Sequence, residues 1–149
     1  MLKTHGRFCP TVLLIFALIV SISLAAAADE PNDKSIVGFW FGTRRQKATN
    51  TEMLEICHFK PDGTFSITFR KMKDGKLVEE QNESGRWERN QNVKTLVTTH
   101  INGKQLETSR YITEKYLITE LTDSEMRYEH IKSHAKFKVI RVKEGFKFP

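Results

Sequence analysis

Thr64-Phe65-Ser66-Ile67-Thr68-Phe69-Arg70-Lys71-Met72 is the stretch that decides the fold. Phe65, Ile67 and Phe69 fall on one side of it, and Thr64, Ser66, Thr68 and Arg70 on the other. Strict alternation with a period of two marks a β-strand that buries one face. Pro61-Asp62-Gly63 precedes the strand. Proline presets φ, aspartate bonds back to the chain and glycine accepts positive φ, so this tripeptide is a turn. Lys73-Asp74-Gly75-Lys76 follows, and its Asp-Gly pair is a two-residue hairpin signal.

Working outward, the same grammar repeats. Upstream, strands are predicted over 36–48 and over Thr51–Phe59. Downstream, a strand is predicted over 77–89 with an interruption near Ser84-Gly85, and another over Val93–Ile101. Asn102-Gly103 is a second hairpin pair leading into 105–113; further strands are predicted at 116–121, 125–131 and 135–142, and 143–149 is a tail. Turns this short join only antiparallel neighbours, because a parallel pair needs a long crossover. The chain is therefore all-β, an antiparallel up-and-down meander of eight or nine strands. Twist accumulates along such a sheet, and closure into a barrel removes its exposed edges. A two-sheet sandwich is the alternative architecture, with longer connections between its sheets.

The start of the chain obeys different rules. Lys3 and Arg7 precede an apolar run from Thr11 to Leu24, followed by Ala25 to Ala28 and the polar Asp29-Glu30-Pro31-Asn32. That order fits a signal peptide over 1–28, cleaved after about Ala28. A retained anchor is the alternative, but the small-residue end and the missing positive flank favour cleavage, which leaves no stable membrane span. The expected location is periplasmic or secreted. Residues 29–35 read as a flexible leader, and 36–142 as a single domain.

Cleavage leaves 121 of the 149 residues and lowers the formal charge from +6 to +4, since only Lys3 and Arg7 are lost. The cations are scattered, so no nucleic-acid partner is expected. Cys9 lies before the apolar run and cannot become a lipidated first residue. Cys57 then stands alone, with no internal disulfide partner, and its alternation with Met53 and Phe59 reads as a buried, inert thiol.

Three motifs in order carry a family resemblance. They are Gly38-Phe39-Trp40; Phe59 with Asp62-Gly63-Thr64-Phe65; and Gly85-Arg86-Trp87. The pattern resembles the lipocalin or calycin group, and more closely the small bacterial lipocalin-like domains. The resemblance implies a lipocalin-like barrel. In it Gly38 permits close approach of a neighbour, Trp40 plugs one end, and Arg141 in the last strand packs over the indole. A plain surface role is the alternative for Arg141. The chain lacks the paired cysteines of larger lipocalins and has very short turns, which argues against a deep cavity. An eight-stranded barrel leaves room for its own side chains or one small ligand.

No catalytic signature is present: there is no Gly-x-Ser-x-Gly, no phosphate loop and no Cys-x-x-Cys. His130 and His134 would align on a helix but not on a strand, so no metal site and no cofactor are expected. Cys57 and His58 are adjacent and point to opposite faces of a strand, which is poor geometry for a dyad. Asn82-Glu83-Ser84 fits a glycosylation sequon. The expected function is non-enzymatic binding of a small, largely apolar molecule in a cavity lined by Phe65, Phe69, Tyr128, His130 and Arg110. A solid barrel that binds a protein partner through an outer patch at Phe39 and Phe41 is the alternative.

Overall fold

The computed structural model describes residues 35–149, so the expected signal peptide and most of the leader lie outside it. Nine strands follow in order: β1 Gly38–Gln46, β2 Thr51–Phe59, β3 Thr64–Lys73, β4 Lys76–Asn90, β5 Val93–Ile101, β6 Lys104–Gln105, β7 Ile112–Leu121, β8 Glu125–His130 and β9 Lys136–Val142. Every pairing is antiparallel, and the sheet order is β4-β3-β2-β1-β9-β8-β7-β5-β6. A further pairing of β4 with β5 joins the two sides, so eight strands close into an up-and-down barrel and β6 is appended to β5. Among the described residues no helix is long and apolar enough to cross a membrane.

The turns form by the mechanisms their residues carry. Asp62 Oδ1 accepts from the Thr64 amide at 2.9 Å and from its hydroxyl at 2.7 Å, and Gly63 takes φ +80°. Those bonds hold the Asp62 carboxyl below its ordinary range. Asp74-Gly75 and Asn102-Gly103 both have positive φ at the two turn positions, as a type I′ hairpin demands.

The interruption expected at Ser84-Gly85 is a register shift between β4 and β5, and β4 runs through it unbroken. Gly85 is required there: a Cβ would stand 1.9 Å from the Val97 carbonyl oxygen.

One predicted strand is not formed. Of residues 105–113, only Gln105 belongs to the two-residue β6, a short 3-10 turn follows at Thr108–Arg110, and Ile112 onward belongs to β7. Alternation of Leu106, Thr108, Arg110 and Ile112 mimicked a strand, but only His100 and Ile101 of the neighbouring edge were left for it, and β6 takes them. β5 already pairs with β4 and β7 across the barrel wall.

The core occupies one end of the barrel. Trp40, Cys57, Phe59, Phe65, Ile67, Trp87, Leu96, Ile118, Met126 and Val139 are buried together there. Ile36 caps them, and its carbonyl accepts from Trp40 Nε1 at 2.7 Å. Arg141 lies over the indole with Cζ 4.2 Å from the ring, and donates to the carbonyls of Asp123, Val37 and Ser35 at 2.6, 2.6 and 2.5 Å. Gly38, at φ +125°, makes room for this guanidinium, because a Cβ would come within 2.8 Å of Arg141 Nη1. The tail is docked rather than loose: Phe146 and Phe148 pack on Phe41, and Arg70 lies 4.4 Å over the Phe148 ring.

Candidate functional site

The opposite end of the barrel is open to a cavity of about 540 Å³ lined by Gly42, Arg44, Met53, Glu55, Phe69, Tyr128 and Phe137, among others. Register explains why these side chains meet. Trp40 pairs with Cys57, and two residues on, Gly42 pairs with Glu55 and Arg44 with Met53. Continuing the inward face of Trp40 along β1 and β2 therefore carries the wall from the sealed end to the mouth. Phe69 opposes Glu55 on β3, and Tyr128 opposes Phe137 on β8 and β9. Gly42 keeps space beside Glu55, since a Cβ would lie 2.7 Å from its Oε1.

A column of rings and cations stands on this wall. Arg44 Cζ lies 5.3 Å from the Phe137 ring, which stacks on Tyr128 at 5.1 Å with 12° between planes. The amine of Lys94 sits 3.8 Å from the centre of the Tyr128 ring, 4.9 Å from Phe59 and 5.1 Å from Tyr116. Lys94 is 2 % exposed, the one fully buried charged side chain among the described residues. No described oxygen lies within hydrogen-bonding or ion-pairing reach of that amine, so ring faces are its nearest partners.

Charge in this chamber is poorly solvated. Burial pushes Lys94 down to about 8, although the Cys57 and Glu55 side chains oppose that shift. Burial likewise raises the Glu55 carboxyl, against the hydroxyl of Tyr128, which donates to Glu55 Oε1 at 3.1 Å, and against Lys94 and Arg44. The Tyr128 phenol is raised well above its usual range by burial and by the Glu55 charge. Cys57 is raised too, by burial and then by Glu55, so its thiol is held neutral.

The residues expected from sequence are distributed as follows. Phe69 and Tyr128 line the cavity. Phe65 instead packs in the sealed end, 2 % exposed, beside Phe59. His130 faces Tyr116 at 5.2 Å; its Nε2 contacts the Glu114 carboxylate, and its Nδ1 lies 2.6 Å from Ser133 Oγ. Arg110 lies on the 3-10 turn, its side chain 75 % exposed and 3.6 Å from Glu107, outside the lining of this cavity. Gly38, Trp40 and Arg141 form the sealed end as described above. Phe39 stacks on His58 at 3.8 Å and Phe41 is covered by the tail, so neither ring stands free on the outer face.

Sequence reasoning missed Arg44, Glu55, Lys94 and Phe137. Parity was the available signal: Glu55 shares the face of Met53, Cys57 and Phe59, and Arg44 that of Trp40. Among the described residues no three His, Cys, Asp or Glu side chains are grouped to hold a metal ion. No family model matches the chain, and no curated protein is significantly similar to it.

Proposed function

We propose that the mature chain is a non-enzymatic, lipocalin-like barrel that works in a periplasm or outside the cell and binds one small, largely apolar molecule in its open end. The cavity carries this reading. About 540 Å³ falls in the range of small-molecule sites, and a wall of Met53, Phe69, Tyr128 and Phe137 with a few polar groups is the composition such sites share. The polar contacts available include Arg44, Arg127, Glu129, Lys136 and Lys138 and the Glu55–Tyr128 pair, so the favoured ligand is apolar along its body and polar at one end. A solid barrel acting through its outer surface finds less support, because in the aromatic patch it needs Phe41 is packed by Phe146 and Phe148 and Phe39 is stacked on His58.

Native mass spectrometry of protein purified from its own host tests the proposal. A mass above that of the polypeptide, lost on denaturation, is expected. Saturable, one-to-one binding of anilinonaphthalene sulfonate should accompany it, weakened about tenfold by Phe69→Ala, on the order of the apolar contact removed. Leu77→Ala, on an exposed outer position, should leave binding unchanged. A bare polypeptide mass together with no saturable dye binding overturns the proposal.

A further inference from the structure

β1 and β9 close the barrel over four pairs, from Phe39 with Val142 to Gly42 with Val139. β1 runs on to Gln46, and β9 begins three residues before Val139, at Lys136. Residues 43–46 and 136–138 are therefore two strand edges left unpaired with each other, a split in the wall about 10 Å long. The cavity runs through it. Its lining takes consecutive residues from both edges, Gly42, Thr43 and Arg44 on one and Lys136, Phe137 and Lys138 on the other. Neighbouring strand residues point to opposite faces, so a chamber behind an intact wall would meet alternate side chains.

Charge at the split is unbalanced. Arg127 and Lys138 already face carboxylates: Arg127 lies 2.6 Å from Glu125 and 3.1 Å from Glu120, and Lys138 lies 2.7 Å from Glu125. Arg44 and Lys136 have no carboxylate within ion-pairing distance among the described residues; the Arg44 guanidinium rests 5.3 Å from the Phe137 ring. Two carboxylates belong to the lining, and both are engaged. Glu129 stands opposite Lys136 in register but lies 2.7 Å from His134 Nδ1. Glu55 is deeper, accepts from Tyr128 at 3.1 Å, and sits where burial disfavours its charge.

We infer that the ligand is a single-chain amphiphile with an oxyanion head, a carboxylate or a phosphate. Its chain passes between β1 and β9, and its head stays in the split between Arg44 and Lys136. This inference rests on the cavity being a ligand site. The chain lies against Met53, Phe69 and Phe137. About 540 Å³ holds on the order of eighteen water-sized groups, which suits one chain. The planar guanidinium fork matches an oxyanion, and the lysine adds a point charge from the opposite edge. Entry from the side leaves the head in contact with water, so burying the chain does not require burying the charge.

Calorimetric titration of the mature protein at pH 7 with decanoate, decyl phosphate, decan-1-ol and decylamine varies the head on one chain. At least one anion should bind about tenfold more tightly than decan-1-ol, and decylamine should bind most weakly. The tighter anion identifies the head. Arg44→Gln and Lys136→Gln, both at exposed positions, should each narrow the anion's advantage several-fold, whereas Lys76→Gln, exposed on the far hairpin, should leave it unchanged. An advantage untouched by Lys136→Gln overturns the inference, since the head would then lie away from the split. Decan-1-ol binding as tightly as both anions, or decylamine binding more tightly, overturns it too and leaves an apolar ligand site standing. Binding of none of the four overturns both readings.

Discussion

Replacing Lys94 with methionine removes a charge from a place that barely solvates it and leaves a side chain of similar length. The folded state holds Lys94 near 8, and the unfolded chain holds it at 10.5. That difference penalises folding by about 3 kcal/mol at neutral pH. The three ring faces around the amine offset the penalty, by about 2 kcal/mol for a desolvated cation. Methionine makes good contacts with the same rings. Lys94→Met should therefore be more stable than the parent by about 1 kcal/mol at pH 7.

The pH dependence gives the sharper test. A lysine whose folded value is depressed costs stability below the folded value and stops costing it as pH rises toward the unfolded one. The parent should gain stability from pH 8 upward and close the gap to the methionine variant by pH 10.5, because the amine then enters the barrel uncharged and the penalty disappears. Readings are best confined below pH 10, where Tyr116 and Tyr128, both raised by burial, start to pull the other way. Urea midpoints measured across this range on both proteins supply the curve. A variant less stable by about 2 kcal/mol at pH 7, with a gap that does not change with pH, would refute the reasoning, since the charge would then have a partner.

Arg141→Met should cost about 2–4 kcal/mol in thermal or urea unfolding, as three carbonyls lose a charged donor and Trp40 loses its cover; an unchanged midpoint contradicts the sealing role. Gly85→Ala should cost more than about 3 kcal/mol and reduce soluble yield, because the obstacle is backbone at 1.9 Å that cannot rotate aside. Retention of parental stability there would mean that β4 and β5 approach less closely than described. Cys57 should react with a thiol reagent only as fast as the barrel unfolds, since its thiol is buried and held neutral. Rapid stoichiometric labelling of the native protein contradicts that.

Strand order, turn chemistry and closure were legible because each depends on local signals. Asp62-Gly63, Asp74-Gly75 and Asn102-Gly103 adopt the backbone angles their residue types favour, and β2, β3 and β5 fall where alternation placed them. The site was only half legible. Phe69 and Tyr128 were identifiable as inward apolar residues, but Lys94 lies in Val93-Lys94-Thr95-Leu96-Val97-Thr98, where apolar residues occur at both parities. Hydropathy alone turns such a lysine outward. The strand expected over 105–113 is missing for the complementary reason: alternation was present, but beyond His100 and Ile101 no edge of β5 was free to receive it.

By itself, then, the sequence determined a meander of short strands, the positions of its turns and the residues able to seal one end. Those properties follow from dihedral preference and period-two burial, which act over a few residues. Only the tertiary structure decided which parity of β5 faces inward, and so that Lys94 enters a ring of Phe59, Tyr116 and Tyr128 beside Glu55. That choice is made by register around a closed barrel. One strand's inward face is fixed by all the others, at whatever cost to a single buried charge.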